Sequence, residues 1–237
     1  NNLLVTAGGA VTQSAALTVS GTSSFTSTGT DANITLTQAN AFSGDVTLTT
    51  AGTEGDVSID NNTTALGIQG TINGGLTVVN GAAITDSDTL TVTGASSFTI
   101  DTGSNHITLG TAALSGAIGV STTGTSNFTL DNTTTAVNLG TVGVTGALSV
   151  TSGAAITDSS TITVAGTATF VTDVNDIDII LNNTNAIAGA LTFTTNTGGT
   201  NGADITLNNG STAISLAGFT TRGNLTLETT NAIALPG

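Results

Sequence analysis

Three stretches of this chain repeat one another at intervals of about 72 residues. Gly8–Phe25 reads GGAVTQSAALTVSGTSSF, Gly81–Phe98 reads GAAITDSDTLTVTGASSF, and Gly153–Phe170 reads GAAITDSSTITVAGTATF, at offsets of 73 and 72. A second block recurs in the same order, opening at Asp60 (DNNTTALGIQGTINGGLTV), at Asp131 (DNTTTAVNLGTVGVTGALSV) and, as ITLNNGSTAISLAGFTTRGNLTL, at Ile205. Long-period repetition of this kind marks a stack of similar units sharing one core, because no unit can bury its apolar face alone. The repeats run over 8–80, 81–152 and 153–230, with partial copies at both ends, and predict a single continuous solenoid over residues 1–237.

Within each repeat the pattern has period two. Leu17-Thr-Val19, Leu76-Thr-Val78, Leu90-Thr-Val92, Leu148-Ser-Val150 and Ile162-Thr-Val164 are short strands with one apolar face, separated by Gly- and Asn-rich turn clusters. Charged residues make up 7% of the chain and aromatic residues 3%. That scarcity favours a solenoid over a sandwich or propeller, since Thr, Ser, Asn, Gly and aliphatic side chains stack on copies of themselves whereas charges at every rung would repel. The expected fold is all-β, a parallel β-helix with roughly 20–25 residues per rung, about three rungs per repeat, and a rod on the order of 50 Å long at about 4.8 Å per rung. Phe25, Phe98 and Phe170 share one repeat position and are expected inside. The third repeat is longer, because Leu130 aligns with Leu207 at an offset of 77. The extra residues are assigned to Asn196–Ala203, NTGGTNGA, as an enlarged turn projecting from the rod.

Fifteen acids stand against one base, Arg222, for a net charge of −14. Nucleic acid and anionic membrane are therefore excluded as partners, since both are held by Lys and Arg. No cysteine is present, so neither a disulfide nor a thiolate metal site forms. No run of 18 apolar residues occurs, and the first residues lack the basic and apolar regions of a signal peptide.

Read in order, Gly74–Val78, Gly81–Ser87, Leu90–Phe98, Asn33–Leu36 and Ala39–Val46 resemble the β-strand repeats of very large secreted bacterial surface proteins related to filamentous haemagglutinin. The resemblance covers essentially the whole chain. It implies a right-handed parallel β-helical stalk at the cell surface or outside the cell, with adhesion or toxicity residing in other domains. The secretion-recognition domain of such proteins is not evident here.

Few residues could carry chemistry. His106, the sole histidine, falls at the start of a strand, aligned with Ala32 or Asn33 and with Asp176 or Ile177, and reads as a substitution on a solvated face. Polysaccharide lyases on a β-helical scaffold need basic residues beyond one Arg222. A glycoside hydrolase needs converging carboxylates, for which Asp173, Asp176 and Asp178 are the candidates, Asp176 and Asp178 sharing one strand face by period-two spacing. The same cluster, Asp173, Asn175, Asp176 and Asp178, is the candidate calcium site, and no other cofactor is implied. Asp86 and Asp158, replaced by Gln13, and Asp60 and Asp131, replaced by Asn208, are expected to bond turns in which their charge is dispensable. Thr47/Thr49, Thr91/Thr93, Thr161/Thr163 and Thr192/Thr194 are the local Thr-x-Thr pairs that an ice-binding face would use. The Asn-x-Ser/Thr sites at Asn33, Asn61, Asn62, Asn127, Asn132, Asn182, Asn209 and Asn224 are the yield of an Asn- and Thr-rich composition.

The function expected is a non-enzymatic structural segment of an extracellular stalk, filament or matrix protein. The alternatives are a homopolymeric filament subunit stacking end to end, an ice-binding solenoid and a β-helical hydrolase. Because Asn1–Gly8, Gly146–Gly153 and Gly223–Thr230 share one phase, the expected partners are further copies along the rod axis or the continuation of a longer array, with a host or neighbouring-cell surface ligand as a further expectation.

Overall fold

The computed structural model describes residues 1–237 and contains no helix. It is a parallel β-solenoid of about 11 turns with a rung of about 21 residues. Two 13-stranded sheets form the opposite long faces. The first begins Leu3–Ala7, Ser23–Thr30, Val46–Ala51 and Leu66–Ile72; the second begins Val11–Thr12, Ile34–Leu36, Val57–Asp60 and Leu76–Asn80. The chain alternates between them, so that every strand pairs in parallel with strands one rung away. Period-two patterning is what permits this: Val46, Leu48 and Thr50 point inward and are buried while Thr47 and Thr49 point out. One cluster of 47 buried apolar residues runs from Val11 to Leu216, so the repeats share a single core. Phe25, Phe98 and Phe170 are all inside, and Phe170 stacks on Phe193 of the next rung with ring centroids 5.5 Å apart.

The repeat does not comprise three rungs. Phe25 lies on the first face, Phe98 on the second and Phe170 on the first again. Counting strands from Ser23–Thr30 to Ser96–Ile100 gives seven half-turns, so one 72-residue repeat advances three and a half turns. Each copy is therefore rotated half a turn from the previous one, and the true translational period is two copies, about 145 residues. The physical reason is that a rung of about 21 residues divides 72 into three and a half, whereas sequence alone fixes only the length of the repeat and not of the rung.

A third, narrow face is built from short strands. Thr18–Val19 lies beside Ala41–Phe42; Gly70–Ile72, Leu90–Val92 and Ala112–Leu114 lie side by side, and so do Val142–Val144, Ile162–Val164 and Ala186–Ile187. At the adjoining corner glycines stack on glycines: Gly21 and Gly44; Gly74, Gly94 and Gly116; Gly146, Gly166 and Gly189. Gly94 donates its N–H to the Gly74 carbonyl at 2.9 Å. A Cβ on Gly94 would lie 2.6 Å from the Gly74 carbonyl carbon, a contact no side chain can make, so this corner admits only glycine.

Candidate functional site

Each set on the third face ends against a buried asparagine. Asn132 accepts the Leu114 N–H on Oδ1 at 2.8 Å and returns Nδ2 to the Leu114 carbonyl at 3.0 Å, to Thr135 O at 3.1 Å and to Ala136 O at 3.1 Å. Asn61 makes the same bonds to Phe42, Thr64 and Ala65. Asn209 makes them to Ile187, Thr212 and Ala213. The side-chain amide thus replaces a peptide group of the strand that the next rung lacks, donating and accepting as a ladder residue would. Immediately before each asparagine, Asp60, Asp131 or Asn208 accepts the N–H of a residue in the left-handed region: Asn62 (φ 52°), Thr133 (φ 47°) or Gly210 (φ 55°). An amide serves in this turn as well as a carboxylate, which explains the Asp-to-Asn replacement.

The Gln13, Asp86 and Asp158 position also bonds turns. Gln13 Oε1 accepts from Asn40 Nδ2 at 2.9 Å, and Asp158 Oδ2 accepts from Asn185 Nδ2 at 2.8 Å. Asn40 and Asn185 in turn accept the N–H groups of Leu17 and Ile162. In the middle repeat Ala112 stands where those asparagines stand, and Asp86 keeps only the backbone bonds, taking the N–H groups of Gly110 and Thr111 as Asp158 takes those of Asn182 and Asn183.

His106 belongs to a third recurring network. Its Nδ1 accepts the Asn127 N–H at 3.0 Å. One repeat earlier Asn33 accepts from Asp56, and one repeat later Asp178 accepts from Asp204. The equivalents of His106 are thus Asn33 and Asp178, and the position requires an acceptor that ties one rung to the next. The second step of the ladder is also conserved in form: Asp56, Asn127 and Asp204 accept from Gly75, Ala147 and Asn224.

The acids singled out for calcium or hydrolysis sit at this corner and just before it. Asp173 and Asn175 are exposed near the end of strand Ala168–Asn175. Asp176 has φ 59° and Asp178 precedes the next strand, which starts at Ile179. Asp176 and Asp178 therefore do not share a strand face as their spacing suggested; the left-handed residue breaks the extended chain between them. Asp176 accepts Gly202 N–H at 2.9 Å and Thr200 N–H at 3.1 Å. The Gly202 N–H, with those of Thr200 and Asn201 and the Arg222 charge, holds the Asp176 carboxyl below the usual range. Asp31, two repeats earlier, is held down in the same way by the N–H groups of Thr53 and Glu54. No three His, Asp or Glu side chains converge as a metal-binding group.

The enlarged turn lies where the sequence put it. Ile179 pairs with Ile205, 26 residues on, and the excess falls between the strands ending at Asn196 and starting at Ile205. Arg222 donates to the carbonyls of Thr197 and Gly199 from the rung above while Asp176 binds the turn from the rung below. The only cation of the chain thus clamps its only large insertion, a role sequence reasoning missed because no spacing rule links residues 176, 199 and 222.

A family model described as repeats of unknown function (DUF5649) matches the chain three times, over residues 1–49, 54–123 and 125–194. The chain belongs to this family. The DUF5649 unit of about 70 residues is therefore a building block of three and a half turns, and 195–237, which begins at the end of the strand before the enlarged turn, lies beyond the matched copies. Comparison with curated proteins and with solved structures gave no match.

The outer faces carry hydroxyls in files. On the second sheet Thr12, Thr35, Ser58, Thr77 and Ser97 stand on five successive rungs. On the first, Thr85, Thr108, Thr129, Ser149, Thr169 and Thr192 stand on six. These are the same repeat positions, moved to the opposite face by the half-turn offset. The Thr-x-Thr pairs do not form one array: Thr47/Thr49 and Thr192/Thr194 lie seven rungs apart on the first sheet, and Thr163 lies on the narrow face. Asn61, Asn132 and Asn209, three of the glycosylation-type sites, are buried.

Proposed function

We propose that the chain is a non-enzymatic structural segment, a rigid spacer of an extracellular stalk, filament or matrix protein. The observation that carries this reading is the single core shared by about 11 turns, with each corner tied rung to rung by recurrent Asn, Asp and Gly networks. Such a rod resists bending because every rung is bonded to its neighbours by backbone and side chain alike. The fifteen acids against one base and the resemblance to stalk repeats of secreted bacterial surface proteins support an extracellular or cell-surface location. An antibody raised against the folded chain tests it: intact producing cells, or the material around them, should label. Labelling confined to permeabilised cells would overturn the extracellular assignment.

A further inference from the structure

The half-turn offset has a consequence for how two rods meet. The file Thr12, Thr35, Ser58, Thr77 and Ser97 on one face becomes Thr85, Thr108, Thr129, Ser149 and Thr169 on the other. A neighbouring file behaves likewise: Thr26 and Thr49 on the first sheet recur as Thr99 and Ser121 on the second, and each run continues onto the narrow face, at Thr71 and Thr91 and at Gly143 and Thr163. Both broad faces of the rod are therefore the same surface.

That surface is nearly free of charge. All fifteen acids lie in turns, at the last residue of a strand, or at the bulges near 86–90 and 172–175. Between the acidic corners the faces present hydroxyls and partly exposed apolar groups such as Val79, Val171 and Ile180. About 11 turns at ~4.8 Å by strands of about five residues at ~3.3 Å give a face of roughly 850 Å², against the ~800 Å² per partner of a standard specific interface. Rows of side chains spaced by one rung fit a partner with the same spacing. A second β-solenoid has it by construction.

We infer that the broad faces are lateral docking surfaces for further copies of this chain, packed side by side with their axes parallel. Hydroxyls of facing files donate and accept between rods. Because both faces are equivalent, a docked rod still offers its far face, so association continues into layers and does not close at a dimer. The acidic corners oppose it: at low ionic strength two rods carrying −14 each repel, and at about 1 M salt, where the Debye length is ~3 Å, the repulsion is confined to contact.

The test uses the purified chain and small-angle scattering with sedimentation velocity across a sodium chloride series. Single rods are expected at low salt, and thicker particles of unchanged length at high salt. The double variant Thr108→Glu/Thr129→Glu, whose substitutions point outward from the middle of the file on the first sheet only, should stop at pairs joined through the unaltered second sheet, because a Glu there is repelled by another altered face and left unpaired against an unaltered one; circular dichroism confirms that it folds. Single rods at every salt concentration, particles that lengthen without thickening, or a double variant that thickens beyond pairs as the unaltered chain does would each overturn the inference. None of these outcomes bears on cell-surface labelling, so the location of the protein is tested separately.

Discussion

Replacing Asn132 by alanine isolates the contribution of the side-chain amide that stands in for a missing strand. The acceptor Oδ1 is lost, which leaves the Leu114 N–H unpaired, and with it go the two donor hydrogens on Nδ2 shared among the carbonyls of Leu114, Thr135 and Ala136. Each intramolecular hydrogen bond contributes about 1 kcal/mol net, and a buried polar group left without a partner costs a further 1–3 kcal/mol, so the variant should lose about 3–5 kcal/mol. In a stack of repeats that loss is local. Hydrogen exchange should report it as an acceleration of the Leu114 amide by roughly 10²- to 10³-fold, at about 1.4 kcal/mol per factor of ten, while amides in the first three turns keep their protection. Asn61→Ala and Asn209→Ala should behave alike, deprotecting Phe42 and Ile187. The exposed Asn182→Ala serves as the control and should change stability by no more than about 0.5 kcal/mol. A loss below about 1 kcal/mol, or an unchanged Leu114 amide, would refute the view that these amides act as ladder residues.

Gly94→Ala should cost about 1–3 kcal/mol or more in denaturant melts, since its Cβ would press on the Gly74 backbone; a neutral result would show that the corner can widen. His106→Ala should cost up to about 1 kcal/mol, and His106→Asn, which restores the acceptor found at Asn33, should cost less than half of that; equal losses in the two would dismiss the acceptor role. Asp31 and Asp176 are held below the usual carboxyl range in the folded chain, so each adds stability above the unfolded value of ~3.9 that is lost as pH falls through the folded value. Melts in the acid range should accordingly be less steep in pH for Asp31→Asn and Asp176→Asn than for the unaltered chain. Deleting 81–152 joins equivalent positions, and scattering should show a folded rod shorter by about 17 Å, three and a half rungs at ~4.8 Å; an unfolded product would contradict the half-turn offset.

What the sequence by itself determined is the stack. Period-two patterning fixed which residues of Val46–Ala51 face inward, the 72-residue repetition fixed that Phe25, Phe98 and Phe170 are equivalent, and the offset of 77 located the enlarged turn. Those are local properties, set by which side chains are apolar and where the chain repeats. The sequence also disclosed that Asp60, Asp131 and Asn208 do the same work, because an amide can replace a carboxylate only where charge is dispensable.

What only the tertiary structure decided is phase across the rod. Nothing in the repeat announces that a rung takes about 21 residues and that 72 residues therefore end half a turn away. Residues that bond between rungs, such as Asn132 with Leu114 or Arg222 with Thr197, are 18 and 25 positions apart, at separations set by the length of each individual turn. For the same reason Asp178 emerged as an equivalent of His106, and Asn33 was separated from Ala32, only when the rungs were stacked. Asp176 and Asp178 parted because one residue with φ 59° turned a strand into a corner. Side-chain periodicity is a property of the backbone at each residue, whereas rung length is the sum of strands and turns around a closed circuit, and that sum is fixed only when the circuit closes on the rung below.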